Sequence, residues 1–342
     1  MTNVSKAGIR PLGPWIAMAR LACLLLALAS LAAPMVLSGC AAKAKPLEAP
    51  ASAAKLPAAE ALAKGEESLA LGQYELATNY LNRALEMDPR LDEAYLARGK
   101  ALHALGNPEQ ALFDFNRAVS LRPEWAVAYY DRATAYLALE RPQEALDDQR
   151  KALNLDPGLA VAHNDMGLAL AALDRPEEAL QAFNAAIRVS DGRLAQAFYN
   201  RGTLRLRDEL LVAAQEDLSR AVELDPELAP AFNNLGILRN RTGAYEAAVL
   251  DFDAAIALTP KNPNLYLNRG IAHENQNRYD KAIQDYTRAL ALKPDYAQAL
   301  HNRGVLFMRL SARTRACEDF EAACQLGLCH RHEATKKLGL CW

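Results

Sequence analysis

The chain has no apolar run long enough to span a bilayer. Its longest, residues 21–36 (LACLLLALASLAAPMV), falls short of the roughly 20 residues that a membrane helix needs. It also lacks an excess of positive charge. Lys and Arg number 39 against 41 Asp and Glu, for a net −2. Lys6, Arg10 and Arg20 are the only charges before residue 40, so the remainder carries −5. A nucleic-acid partner needs a basic face, and this balance argues against one. Equally missing are a nucleophile motif, a Gly-rich phosphate loop and a pair of acids in a pocket. The histidines of the repetitive body described below (His103, His163, His273, His301) are scattered, with His163 and His273 in packing slots of helices. No catalytic residue, metal or cofactor is therefore assigned.

What the chain does have is a period. Residues 263–296 read PNLYLNRGIAHENQNRYDKAIQDYTRALALKPDY, with Gly270 at position 8 of the unit, Ala282 at 20, Tyr286 at 24, Ala289 at 27 and Pro294 at 32. Position 8 recurs as Gly65, Gly99, Ala133, Gly167, Gly202, Gly236, Gly270 and Gly304, in steps of 34 residues with a single step of 35. Position 20 is Ala in every copy, from Ala77 to Ala316, and so is position 27, from Ala84 to Ala323. Two helices approach closely only where one presents little side chain. Phe115, Phe183, Phe252, Tyr286 and Phe320 at position 24 then fill the gaps. The closing Pro cannot continue a helix and sets the turn into the next copy.

Gly, Ala-x3-aromatic and Pro marks every 34 residues resemble the tetratricopeptide repeat (TPR). The resemblance covers residues 58–330 and implies an all-α fold, a right-handed α-solenoid of eight TPR helix pairs. In such repeats the first helix of each pair, helix A, lines a concave groove through positions 2, 5, 6, 9, 12 and 13. Position 6 reads Ala63, Ala97, Asp131, Asp165, Asn200, Asn234, Asn268, Asn302. Tyr130, Asn164, Tyr199, Asn233, Asn264, Asn240 and His301 are its groove neighbours. An Asn offers both an amide donor and a carbonyl acceptor, so a row of them suits the backbone of an extended peptide. The row Asn200, Asn234, Asn268, Asn302 resembles the Asn ladder in the TPR superhelix of O-linked GlcNAc transferases, which implies sequence-tolerant peptide binding, here with Tyr199, Asn233 and Asn264. Arg98, Arg132, Arg201, Arg269 and Arg303 at position 7 occur in copies that carry Asp at position 23 (Asp114, Asp148, Asp217, Asp285, Asp319). This joint occurrence predicts an ion pair between helix A and helix B rather than an anion site. Copy four has neither partner (Met166, Ala182), and copy six has Leu235 with Asp251.

Both ends carry further signals. The basic start, the apolar run and Leu37-Ser38-Gly39-Cys40 resemble a bacterial lipoprotein signal peptide with its lipobox. The resemblance implies cleavage after residue 39 and lipid on Cys40. Ala41 leans towards the outer membrane, with the protein facing the periplasm. Residues 40–57 read as a flexible Ala/Pro linker after the lipidated Cys. After the repeats, Cys317, Cys324, Cys329 and Cys341 form an even set that suits disulfides in an exported protein. Four Cys allow three pairings. A short helix near 330–338, folding back as a cap over residues 331–342 with Ala334 and Leu338 inward, favours Cys317–Cys341 with Cys324–Cys329. Cys324-x4-Cys329-His330 also resembles a longer form of the c-type haem attachment motif, and Cys329, His330 and His332 could ligate a metal. The functional expectation is a membrane-anchored scaffold, not an enzyme, binding peptide segments or partner proteins for envelope assembly or regulation. A haem-carrying or redox protein is the alternative.

Overall fold

The computed structural model describes residues 56–341. Among them are 17 helices and no strand. The Cys40 lipid site, the signal segment and nearly all of the linker lie outside the described residues. Helix α1 (Ala58–Ala70) packs on α2 (Tyr74–Met87), α3 (Asp92–Ala104) on α4 (Pro108–Leu121), and α5 (Ala126–Ala138) on α6 (Pro142–Leu155). Helix α7 (Ala160–Ala172) leads to α8 (Pro176–Val189), within which a first compact unit ends at Ala182 and a second begins at Phe183. In the second unit α9 (Ala195–Arg207) packs on α10 (Leu211–Leu224), α11 (Ala229–Arg241) on α12 (Tyr245–Leu258), α13 (Pro263–Asn275) on α14 (Tyr279–Leu292), and α15 (Ala297–Arg309) on α16 (Arg313–Gln325). Helix α17 (His330–Lys337) packs against α16. The architecture is an α-solenoid of helix pairs within each unit.

Small residues seat these helices. All sixteen Ala at positions 20 and 27 are completely buried. A Cβ built on Gly99 would lie 2.5 Å from the Phe115 ring, and on Gly236 2.7 Å from Phe252. Positions 8 and 24 of one repeat therefore form a lock in which the glycine makes room for the ring. Position 15, between A and B, is left-handed in every copy: Gly72, Gly106 and Gly243, but also Glu140, Asp174, Glu209, Asn277 and Ser311. The extra residue after copy four is absorbed at Asp191 and Gly192, both left-handed.

The ion pairs expected between helices A and B are present. Arg98 donates from Nε and Nη2 to Asp114 at 2.8 and 2.6 Å, and Arg132, Arg201, Arg269 and Arg303 make the same fork on Asp148, Asp217, Asp285 and Asp319. Each Arg has a third arm that the periodicity reading did not foresee. Nη1 donates to position 25 of the preceding repeat: Asn82, Asn116, Asn184, Asp253 or Thr287. One guanidinium thus ties three helices. In copy six, Asp251 instead takes a single nitrogen of Arg239 at 2.7 and 2.9 Å. Burial pushes its carboxyl up to about 6, with Arg239 only partly offsetting.

At the C-terminal end, Cys317 and Cys341 have sulfurs 1.97 Å apart, and Cys324 and Cys329 have sulfurs 1.96 Å apart. Arg313 donates to the carbonyls of Gly339 and Leu340, holding the last turn. The inward residues of the cap differ from expectation. Leu338 is exposed, and Thr335 is the buried residue of α17. The short helix ends at Lys337 and the chain turns at Gly339, which carries Leu338 outward. The Thr335 hydroxyl is satisfied within its own helix, donating to the carbonyl of Arg331 at 2.8 Å.

Candidate functional site

Two of the four ladder residues of the second unit, Asn234 and Asn268, are joined through Asn233 rather than standing as separate amides. Asn234 Nδ2 donates to Thr203 Oγ1 at 3.0 Å, Asn233 Nδ2 to Asn234 Oδ1 at 3.3 Å, and Asn268 Nδ2 to Asn233 Oδ1 at 2.9 Å. Tyr199 adds a hydrogen bond to Asn234. Asn234 at position 6 is thus held by position 9 of the repeat before it, and Asn268 by position 5 of the repeat before it. Asn200 is buried and accepts from Gln196 at 3.2 Å, and Asn302 accepts from Gln298 at 2.7 Å. Asn264 accepts from Tyr296 at 2.6 Å, and Asn240 accepts from Asn275 at 3.0 Å. Thr203, Gln196, Gln298 and Tyr296 were not picked out from the sequence. Gln196 and Gln298 had a signal, since both stand at position 2, four residues before Asn200 and Asn302, whereas Thr203 and Tyr296 had none, because positions 9 and 34 vary from copy to copy.

An Asn side chain has two N–H groups and two lone pairs. Asn268 makes one hydrogen bond, through one N–H, and is half-buried. Its carbonyl oxygen and second N–H stay available on the A-helix face. The Asn network therefore has two consequences: it orients the amides, and it leaves part of the hydrogen-bonding capacity of Asn268 unspent.

The first unit uses the same register with different chemistry. Lys100 at position 9 pairs with Asp131 at position 6 of the next repeat (3.1 Å). Tyr130 at position 5 bonds to Asp165 at the following position 6, and Asn164 Nδ2 donates to Asp165 at 3.0 Å. Burial pushes both carboxyls up to about 6, with Lys100 partly offsetting at Asp131 and the Asn164 and Tyr130 hydrogen bonds at Asp165. A folded-state value above the ordinary 3.8 means that ionisation opposes folding. The penalty is absent below about pH 4, grows through pH 6 and is complete above about pH 7. Asp165→Asn keeps an oxygen for Tyr130 and Asn164 and removes the charge. It is expected to stabilise by about 1–2 kcal/mol at pH 7.5, because solvent reaching the site already relieves part of the cost of the charge. Urea midpoints at pH 4 and 7.5 check this, and an equal gain at both values would refute the titration account.

Cys324 and Cys329 have their sulfurs turned on each other, whereas haem attachment at this motif requires both thiols free. Among the described residues no group of three or more His, Cys, Asp or Glu is placed to hold a metal ion. No described helix is long and apolar enough to cross a membrane.

Family models described as tetratricopeptide repeat or TPR repeat match residues 65–106, 92–125, 126–159, 164–229, 239–277 and 263–296. No curated protein matches the sequence. Among solved structures, the chain is similar to PilW, a type IV pilus biogenesis factor (20% identity, TM-score 0.56, 61% of this chain and 96% of that one). It is similar to pilF of Pseudomonas aeruginosa (22%, 0.56, 62% and 96%) and to a tetratricopeptide repeat protein from Parabacteroides merdae (18%, 0.55, 73% and 98%). At these identities the likeness shows the fold.

Proposed function

Because the chain belongs to the tetratricopeptide repeat family, a family of protein-interaction scaffolds that are typically not enzymes, we propose that it is a lipid-anchored adaptor whose A-helix face binds extended segments of partner proteins. The observation that carries the binding reading is the oriented amide network from Thr203 to Asn268, with its unspent hydrogen-bonding groups. Backbone amides of an extended segment repeat about every 3.4 Å and alternate donor and acceptor. An Asn amide answers either, so such a face tolerates many side chains. The anchoring reading rests on Leu37-Ser38-Gly39-Cys40 after an apolar run. It puts the protein on the outer membrane facing the periplasm, with residues 41–57 as the tether. Partners there would be envelope proteins in assembly or regulation.

Photo-crosslinking in intact membranes tests the face. The protein with Asn200, Asn234, Asn268 and Asn302 all changed to Ala is expected to lose at least nine-tenths of the crosslinked partner. Because those changes also remove inter-repeat hydrogen bonds, Asn268→Ala alone, which breaks one bond, serves as the milder variant and should lose several-fold. Unchanged capture by both folded variants would move binding off this face. Metabolic labelling with an alkynyl fatty acid tests the anchor: Cys40→Ser should abolish the label and release the protein from membranes.

A further inference from the structure

A hollow of about 120 Å³ lies in the first unit, between the A helices of its first two repeats. Leu69, Leu96 and Ala97 line it, and Trp125 forms a wall. Glu66 and Glu93 stand at its rim with Lys100. It is separate from the Asn network, which belongs to the second unit, and does not depend on the reading given to that network.

Size and charge narrow what this hollow can hold. Sites for cofactors and drug-sized ligands run to about 300–1,000 Å³. An apolar cavity of about 150 Å³ holds one benzene. The hollow therefore suits one aliphatic side chain. The wall is fixed before any ligand arrives. The Arg122 guanidinium lies 4.3 Å from the centroid of the Trp125 ring and is itself held by Asp92 at 2.5 Å and Glu93 at 2.9 Å. Those pairs also spend the charge of Glu93, and Asp131 spends that of Lys100. What remains at the rim is the exposed carboxylate of Glu66, which pairs with no cation among the described residues. An apolar seat beside one unpaired negative charge is complementary to an apolar side chain with a positive neighbour.

We propose that this hollow is a selective anchor site for a partner segment that presents a Leu-, Ile- or Met-sized side chain next to Lys or Arg. The apolar side chain fills the space against Leu96 and Trp125, and the cation meets Glu66. Burying one aliphatic side chain contributes about 1.5–3 kcal/mol, or roughly ten- to a hundredfold in affinity. The first unit would thereby read side chains, in contrast to a backbone-reading amide face.

The test titrates the purified full chain with a blocked, fluorescein-labelled peptide, Ser-Gly-Leu-Arg-Gly-Ser, and follows anisotropy. Comparison peptides carry Ala for Leu or Glu for Arg. The Leu-Arg peptide is expected to bind at least tenfold tighter than the Ala-Arg peptide and to outbind the Leu-Glu peptide several-fold at low salt. Ala97→Leu, which fills the hollow, should weaken binding at least tenfold. Glu66→Lys, on an exposed side chain, leaves the fold alone and should remove the preference for Arg over Glu. The protein with the four ladder Asn changed to Ala should bind this peptide as wild type does. That result separates this site from the adaptor face, because loss there with retention here condemns neither. Equal binding of Leu-Arg and Ala-Arg peptides, or no effect of Glu66→Lys on the charge preference, overturns the proposal.

Discussion

Asp217→Ala is expected to cost about 3–5 kcal/mol of stability, the range for stripping one partner from a buried ion pair. The Asp217 side chain is almost fully buried. It accepts from Arg201 Nε at 2.9 Å and Nη2 at 2.6 Å, and from Arg205 Nη1 at 2.8 Å. Its loss leaves two guanidinium groups in partly buried sites with their shared counter-charge gone. Arg201 also reaches Asn184 of the preceding repeat, so the damage spreads to a neighbour in an array where stability is largely a sum of nearest-neighbour terms. Arg201→Leu makes the contrasting case. It recreates the arrangement of copy six, where Leu235 stands at position 7 and Arg239 at position 11 serves Asp251. Its cost should stay near 1 kcal/mol, because Arg205 still meets Asp217. Urea denaturation of the two variants decides the matter. Asp217→Ala losing no more than Arg201→Leu would show that the carboxylate's absence is met by solvent, and the three-helix tie would lose its energetic meaning.

The second large effect runs the other way. Gln149→Met is expected to stabilise the first unit by about 1–3 kcal/mol, the penalty of burying an amide without hydrogen bonds. Gln149 is 0% exposed, and neither its Oε1 nor its Nε2 has a partner. It occupies position 24, where the other copies have Leu81, Phe115, Phe183, Leu218, Phe252, Tyr286 and Phe320. The same copy has Ala133 instead of Gly at position 8. The two departures belong together, because a Cβ at position 8 occupies the space of a ring or a branched Cγ at 24, as the 2.5 Å approach to Phe115 and the 2.6 Å approach to Leu81 show. An unbranched side chain fits beside Ala133, and Met has the length of Gln without the amide. Gln149→Phe alone should therefore destabilise, and Ala133→Gly with Gln149→Phe should recover the loss by restoring the lock of the neighbouring copies. Thermal melts of the three variants read the pattern. A Met variant no more stable than wild type would mean that the amide is hydrogen-bonded in solution.

Much of this was legible because the contacts inside one repeat sit at fixed sequence offsets. Gly at 8 against the residue at 24, and Arg at 7 against Asp at 23, are both separated by 16 residues, so the first pairing is seen in seven copies and the second in five. Leu235 and Met166, where Arg is missing, sharpen the inference. The third arm of each Arg was legible in principle too. Position 25 is Asn82, Asn116, Asn184, Asp253 or Thr287 before a copy with Arg at 7, but Arg150 before Met166. Reading it requires comparing one copy with the next rather than each copy with the consensus. The outward Leu338 was not legible, because nothing repeats after α16 and eight residues of helix leave the facing undetermined.

The sequence by itself determined the helix pairs, the 34-residue register, the glycine–ring lock and the paired charges of helices A and B. These follow from steric and electrostatic demands within a single hairpin, whose geometry is the same each time it recurs. Only the tertiary structure decided how neighbouring repeats meet. It joined Asn234 and Asn268 through Asn233, with Thr203 holding Asn234, set Asp165 against Tyr130 with no cation beside it among the described residues, and opened a hollow beside Trp125. The physical reason is that the rotation of one repeat on the next fixes which side chains come within hydrogen-bonding reach. That rotation is the summed result of many packing contacts and is carried by no single spacing in the chain.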